Sequence, residues 1–241
     1  IYRSYLAGVK EPRLASVWDY DKNLGWIWDV ALGGRVGLMR YGTERADRPD
    51  GWELDVEGAA LARLDYEHEM DVVATDFRAG LPLTYGYGPF QFKLAYYHLS
   101  SHLVDEFMLR NPDVERINYV RDAFVLGGSW YATEDLRLYA EAGWSFHTDG
   151  GAEPWEFQFG VDFSPAALTG VRGAPFAAIN GHLLQEVDFG GHLVVQAGWQ
   201  WRNASGRRLR IGAQYFNGKS DQYEFFDHDE SKIGAGVWYD F

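Results

Sequence analysis

The sequence has no cysteine among its 241 residues and no long hydrophobic run. The lack of cysteine excludes disulfide bonds, thiolate metal sites and cysteine nucleophiles. No run of apolar residues is longer than four, whereas a membrane-spanning helix needs about 20. Basic residues are also scarce, and the formal net charge of −13 argues against a nucleic-acid partner, because nucleic acids bind basic surfaces.

Aromatic residues and glycine are abundant instead, with 10 Trp, 15 Tyr, 15 Phe and 28 Gly. The mean hydropathy is nevertheless negative, at −0.32. This combination is typical of a transmembrane β-barrel, because half of each strand faces lipid and the other half faces a polar interior.

Apolar and polar residues alternate along the last part of the chain. Ile233, Ala235, Val237, Tyr239 and Phe241 share one face, and Lys232, Gly234, Gly236, Trp238 and Asp240 share the other. This period of two predicts a β-strand. Similar segments recur along the chain and predict strands at residues 12–20, 25–41, 51–66, 69–81, 88–101, 116–131, 135–147, 154–164, 174–185, 190–202, 207–217 and 231–241.

Charged residues of both signs collect on one face of these strands, and aromatic residues collect near the strand ends on the other face. A water-soluble β-sandwich or lipocalin-like barrel would also separate two faces, but aromatic belts at the strand ends favour a membrane. We therefore predict an all-β fold, a transmembrane antiparallel up-and-down β-barrel of about 12 strands. The prediction is a single domain over residues 1–241, with residues 1–11 as a periplasmic N-terminal segment.

The connection lengths predict the orientation of this barrel. If the last strand ends in the periplasm, the long loops 102–115 and 218–230 face outwards and the tight turns face inwards, as is usual for such barrels. We therefore expect an integral protein of the bacterial outer membrane with both termini in the periplasm. The two long loops are candidate sites for protein partners, and outer-membrane lipid or lipopolysaccharide is the expected partner of the exterior.

His98 and Ser100 carry the most suggestive chemistry in the chain. Their strand face also carries Phe90, Phe92, Leu94 and Tyr96, so both point towards lipid near the outer end of the strand. A His and a Ser can act as base and nucleophile in acyl transfer when a third group orients the imidazole. Asn118 and Asp122 share the phase of the apolar face on the next strand, and either could be that group. Backbone amides after Ser100 would hold the oxyanion.

The pattern His98-x-Ser100, with an acidic or amide side chain one strand later, resembles the outer-membrane acyl hydrolases, namely phospholipase A and the lipid A deacylases. The resemblance implies that Ser100 is the nucleophile, that His98 is the base, and that Asp122 or Asn118 orients the base. The sequence departs from that pattern at Ser101, where Asn is usual.

A second resemblance covers other parts of the chain. Leu6, Ala7, Glu11, Pro12 and Arg13, together with the terminal Phe241, resemble an uncharacterised outer-membrane family. That family implies the barrel and no activity.

Two kinds of function remain open at this point. One is an ester hydrolase that acts on outer-leaflet phospholipid or lipid A. The other is a non-enzymatic barrel, either a narrow channel or a structural anchor that binds partners through its outer loops.

Asp105 and Glu106 offer carboxylate oxygens, which Ca²⁺ prefers, and are candidate ligands for Ca²⁺ as a cofactor near Ser100. The mixed charges of the polar face predict salt bridges that fill the interior.

Overall fold

The computed structural model describes residues 1–43 and 48–241. Within these ranges, twelve strands form a closed antiparallel barrel in which each strand pairs with its neighbours in sequence and β1 pairs with β12. The strands are β1 Leu14–Asp21, β2 Gly25–Gly42, β3 Gly51–Asp65, β4 Asp71–Tyr87, β5 Phe90–Leu103, β6 Val120–Tyr131, β7 Leu136–Asp149, β8 Trp155–Phe163, β9 Ala174–Leu184, β10 Gly190–Arg202, β11 Arg208–Lys219 and β12 Asp229–Asp240. The short helix α1 spans Asp105–Arg110. The predicted all-β barrel of twelve strands is confirmed.

Helices play little part in the architecture. None of the helices in the described ranges is both long enough and apolar enough to cross a membrane.

The period-two alternation decides which side chains point outwards. Leu32, Leu126 and Ile233 point out of the barrel and are each more than 60% exposed, while Arg210 and Lys232 are almost completely buried inside. Because oily side chains turn away from the barrel axis and charges turn towards it, the exterior is an apolar surface. Aromatic residues are concentrated near both ends of the strands on this surface, and include Trp18, Trp26, Trp52, Tyr85, Tyr87, Trp130, Trp155 and Trp199.

The start of β6 differs from the prediction of a strand over 116–131. The strand begins at Val120, because the chain before it turns through Asn118, whose φ of 51° is left-handed. The backbone amides of Ile117 and Asn118 donate to the Glu224 carboxylate, at 3.0 and 2.9 Å, instead of to a neighbouring strand. Asn118 therefore does not lie on the outward face of β6.

The first thirteen residues lie inside the barrel, which corrects the prediction of a separate periplasmic segment at residues 1–11. The ring of Tyr5 stacks on Tyr139 of β7 with 3.7 Å between the ring centroids, and its hydroxyl donates to Glu141 at 2.6 Å. The Arg137 side chain donates to the Arg3 carbonyl at 2.8 Å. This segment runs into the lumen because the buried charges of the strands supply hydrogen-bond partners for its backbone.

The connection between β11 and β12 also turns into the barrel. Asp221, Gln222, Tyr223 and Glu224 are all buried there. The Glu224 amide donates to the Ser101 hydroxyl at 3.1 Å, and the Tyr119 and Tyr223 rings stack with centroids 4.6 Å apart. This connection closes the end of the barrel at which β5 finishes.

Candidate functional site

The candidate site lies on the outward face of β5 and β6, near the end of the barrel that the β11–β12 connection closes. The two strands pair so that His98 lies directly opposite Asp122, and Ser100 lies opposite Val120. Because side chains alternate along each strand, His98, Ser100 and Asp122 all project from the same side of the sheet. The predicted placement of these three residues on one face agrees with this register.

Asp122 is the centre of a small polar group on this surface. Its Oδ1 atom accepts hydrogen bonds from the Tyr96 hydroxyl at 2.7 Å and from Nδ1 of His98 at 2.9 Å. Its Oδ2 atom lies 3.1 Å from Nδ1 of His147 on β7. A carboxylate on a lipid-facing strand is costly unless it is paired, and here three donors surround it.

A β-bulge places His147 in this group. Asp122 pairs with His147, but Ala123 pairs with Ser145, so β7 carries one extra residue at Phe146. The bulge shifts the alternation of β7 by one position, and His147 therefore emerges on the exterior next to Phe146. Sequence reasoning missed His147 and the contact from Tyr96, because strict alternation turns residue 147 inwards.

The Ser100 hydroxyl has no hydrogen bond to any residue that the structure describes. His98 and Asp122 therefore form a bonded pair, while Ser100 stands two residues further along β5 without contacting the imidazole. The amide of Ser101 donates to the Tyr119 carbonyl at 2.9 Å. The first of the amides that we expected to hold an oxyanion is therefore engaged with the residue before β6, and the oxyanion role of the amides after Ser100 stays a prediction.

Asn118 does not join the group. Its backbone amide binds Glu224, and its side chain makes no hydrogen bond to His98, Ser100 or Asp122. Burial raises the pKa of Glu224, although the amides of Ile117 and Asn118 counteract part of this effect. Asn118 thus lies in the β5–β6 connection, where its amide binds the β11–β12 connection that closes the barrel.

The proposed calcium ligands lie on the exposed helix α1. The side chain of Asp105 is 86% exposed, and its carboxylate accepts a hydrogen bond from Arg116 at 2.7 Å. In the described ranges, no three acidic or histidine side chains come close enough together to hold a metal ion. Calcium binding by Asp105 and Glu106 stays a prediction.

The barrel interior is filled rather than open. Arg63 bonds Asp29, Asp221 and Glu230 at 2.5–2.8 Å. Similar pairs join Arg137 to Asp162 and Arg210 to Asp240. Residues 1–13 lie among these ion pairs. A cavity of about 50 Å³ lies beside Lys10 and Gln214, and a larger one of about 470 Å³ lies at the end of the barrel near α1, where Arg63, Phe107 and Glu230 are among its lining residues.

Comparison with known proteins assigns the family. Residues 24–241 match the family model described as a protein of unknown function (DUF1207). The chain belongs to this family. The matched range leaves out the motif at residues 6–13, which had suggested an uncharacterised family. No curated protein matches the sequence significantly.

Solved outer-membrane barrels share the fold of this DUF1207 chain at very low sequence identity. The outer membrane phospholipase A from Escherichia coli is 9% identical, with a TM-score of 0.63 over 94% of this chain and 92% of that chain. The Salmonella typhi outer membrane phospholipase dimer with bound calcium is 11% identical, with a TM-score of 0.61 over 94% and 90%. The KdgM porin is 10% identical, with a TM-score of 0.51 over 95% and 99%. At such identities the likeness shows the fold alone.

Proposed function

We propose that this DUF1207 protein is an integral outer-membrane barrel that hydrolyses acyl esters of outer-leaflet phospholipid or lipid A. The observation that carries the proposal is the 2.9 Å bond between Nδ1 of His98 and Asp122, with Ser100 on the same outward face. An apolar exterior with aromatic belts supports the membrane location, as does the fold shared with outer-membrane barrels.

Asp122 orients the base in this proposal. When its carboxylate accepts the Nδ1 proton of His98, the Nε2 atom is left without a proton and can act as an acceptor. The Ser100 hydroxyl, which has no other described partner, then rotates to Nε2 when a substrate displaces lipid from this surface. Catalytic hydrogen bonds often tighten only in the substrate complex.

The reaction then follows the usual course of a serine hydrolase. Ser100 Oγ attacks the ester carbonyl carbon while His98 takes its proton, and His98 returns that proton to the departing alcohol. Water, deprotonated by His98, hydrolyses the acyl-enzyme and releases a fatty acid. The amide of Ser101 is paired with Tyr119, so it takes no part in this scheme.

The orientation in the proposal places both termini in the periplasm. The loop that contains α1 and the β11–β12 connection then lie outside, and His98 and Ser100 lie at the level of the outer leaflet. Lipopolysaccharide and phospholipid are the proposed partners of the exterior. Exposed residues of the outer loops, such as Leu109 and His228, are the proposed contacts for protein partners.

The experiment is a fatty-acid release assay on purified protein in mixed micelles of phospholipid or lipopolysaccharide, with and without Ca²⁺. We expect release by the unmodified protein and a loss of about 10⁶-fold in Ser100→Ala and His98→Gln, as for other serine hydrolases. The arms with and without Ca²⁺ test whether Asp105 and Glu106 take part, and we expect Asp105→Asn to retain activity in both.

His102 supplies a matched control. It lies two residues beyond Ser100 on the same outward face of β5, but no carboxylate bonds it in the described structure. His102→Gln should therefore keep its activity, while His98→Gln loses it. Equal activity of the unmodified protein and Ser100→Ala would remove the hydrolase from consideration.

A second candidate function is a non-enzymatic barrel that acts as a structural anchor. Two observations favour it, namely the filled lumen and the absence of a bond between Ser100 and His98. The filled lumen weighs against the channel version of this alternative. The absence of fatty-acid release in every arm of the assay would select the anchor.

A further inference from the structure

The connection between β8 and β9, residues 164–173, leaves two apolar side chains uncovered at the end of the barrel opposite the candidate site. Val171 is 96% exposed and Leu168 is 66% exposed. Single exposed apolar residues are common on protein surfaces, so exposure alone does not show what covers them. The position of the connection on the barrel does.

The connection folds back over the outer face of β10. Trp199 and Trp201 occupy outward positions of this strand, because side chains alternate and Gln200 between them is completely buried in the barrel. The indole N–H of Trp199 donates to the Arg172 carbonyl at 2.7 Å, and that of Trp201 donates to the Val171 carbonyl at 3.1 Å. Residues 171 and 172 therefore lie against the exterior of the barrel wall.

This contact lies at the level of an aromatic belt. Trp199 is one of the exposed aromatic residues near the strand ends on the exterior, and it pairs with Pro175, the second residue of β9. Aromatic belts of transmembrane barrels lie at the boundary between membrane and water. Val171 is thus next to the edge of the hydrocarbon layer.

Side-chain donors bind three successive carbonyls of the connection. The Thr169 hydroxyl donates to the Gly170 carbonyl at 3.3 Å, and the two indoles serve the carbonyls of Val171 and Arg172. Water can serve the carbonyls of an ordinary exposed loop, whereas an unpaired carbonyl close to hydrocarbon is costly. The bonding of residues 170–172 is therefore suited to the edge of a bilayer.

The charge beside Val171 also suits this location. Arg172 is exposed, and a long basic side chain can extend to the lipid phosphates while its apolar neighbour stays in the hydrocarbon. We propose that residues 168–172 form a membrane anchor, in which Leu168 and Val171 insert into the lipid and the indoles of Trp199 and Trp201 hold the loop in place. The anchor requires only that the barrel spans a membrane, so it does not depend on ester hydrolysis.

The test uses single fluorescent labels, which the absence of cysteine from the chain makes possible. Val171→Cys is labelled with a polarity-sensitive nitrobenzoxadiazole dye, and the full chain is reconstituted into vesicles of phosphatidylethanolamine and phosphatidylglycerol. Leu126→Cys, on the outward face of β6, is the control for a side chain in the bilayer. Ala204→Cys, on the exposed turn between β10 and β11, is the control for a side chain in water at the same end of the barrel.

We expect blue-shifted emission of the Val171 label and quenching by brominated lipids. Lipids brominated near the headgroup should quench it more than lipids brominated near the chain end, because interfacial apolar side chains reach only about 5–10 Å into the headgroup–acyl boundary. The Leu126 label should be quenched as well, and the Ala204 label should not be quenched.

Each other outcome is distinguishable from this one. An unquenched Val171 label beside a quenched Leu126 label would overturn the anchor and leave the membrane barrel intact, whereas no quenching at Leu126 would overturn the membrane location itself. Blue-shifted emission at Val171 without quenching would mean that another protein covers the loop, which would also overturn the anchor. Equal quenching at Val171 and Ala204 would do the same, because it would show that the dye seeks lipid by itself.

A second measurement tests the role of the indoles. Replacing both Trp199→Phe and Trp201→Phe in the Val171→Cys background removes the two N–H donors and keeps an aromatic ring at each position. We expect weaker quenching of the Val171 label, because the loop is then free to leave the wall. Trp130→Phe, on the belt at β6, should leave the quenching unchanged. Equal quenching in both backgrounds would overturn the holding role of Trp199 and Trp201.

Discussion

Arg63→Met is the substitution whose effect the structure defines most sharply. The Arg63 guanidinium contacts three carboxylates, those of Asp29 and Asp221 at 2.8 Å and that of Glu230 at 2.5 Å. The Lys232 ammonium is the second cation of the group and contacts the same three residues at 2.6–3.4 Å. After the substitution, the buried carboxylates of Asp221 and Glu230 and the partly buried carboxylate of Asp29 would share a single ammonium.

The magnitude follows from the burial of the group. Removing one partner of a buried ion pair costs about 3–5 kcal/mol, because a charge is left uncompensated. For a chain of this size that corresponds to an unfolding midpoint lowered by about 6–20 °C. Arg116→Met is the matched control, since Arg116 pairs with Asp105 on the exposed helix α1, and an exposed pair contributes about 0–1 kcal/mol.

The assay is the unfolding midpoint of both variants in detergent, followed by tryptophan fluorescence and by the change in gel mobility on heating. The reasoning would be refuted if Arg63→Met lowered the midpoint no more than Arg116→Met does. Such a result would mean that the three carboxylates are neutral, or that water reaches them.

The pH dependence gives an independent check on the same group. Burial alone would raise the pKa of Asp221, but Lys232 and Arg63 outweigh it and hold the pKa well below the ordinary value of 3.8. A carboxyl group with a lowered pKa stabilises the fold above its ordinary pKa, and this stabilisation is lost as the pH falls through the lowered value. The unmodified protein should therefore lose stability below about pH 4. The difference in unfolding midpoint between the unmodified protein and Arg63→Met should become smaller over the same pH range, because the unpaired carboxylates of the variant become protonated.

Two further predictions concern the lumen. In planar lipid bilayers the unmodified protein should show no steady conductance, because residues 1–13 fill the barrel. Deletion of residues 2–11 should open the lumen and give a measurable conductance. Steady conductance of the unmodified protein would contradict this prediction. Gly160→Ala should lower the unfolding midpoint, because its Cβ would clash with the Tyr139 hydroxyl and with the Ile179 carbonyl oxygen, whereas the Cβ of Gly128→Ala meets nothing within 4 Å. Overpacking of this kind costs about 1–3 kcal/mol, so equal midpoints of the two variants would contradict this prediction and show that both Tyr139 and the backbone at Ile179 shift at little cost.

The strand pattern was readable because alternation is a local property. In β12, the apolar Ile233 and the charged Lys232 are adjacent and therefore point to opposite faces of the sheet. The two faces can be assigned without knowing which strand lies next to β12. The same argument predicted that charged side chains fill the interior. It failed at the start of β6, where Asn118 turns away to bind Glu224, a residue that is distant in sequence.

The candidate site was only partly predictable for a related reason. His98, Ser100 and Asp122 could be placed on one face from their spacing on two successive strands. Their contacts could not be predicted, because the register that sets His98 against Asp122 depends on the whole β5–β6 connection. His147 was missed since a bulge on β7 turns it outwards, and bulges leave little trace in a pattern of alternation. The catalytic roles of Ser100, His98 and Asp122 stay predictions.

Sequence by itself determined that this chain forms amphipathic strands, that their apolar sides face outwards, and that their number is even. The strands follow from side-chain order, the outward direction from the aromatic residues near the strand ends, and the even number from the class of barrel that these features indicate. Only the tertiary structure decided what occupies the lumen and which side chains bond Asp122. Tyr5 meets Tyr139, and Arg137 meets the Arg3 carbonyl, only after the barrel closes, because closure brings together residues that no local pattern connects.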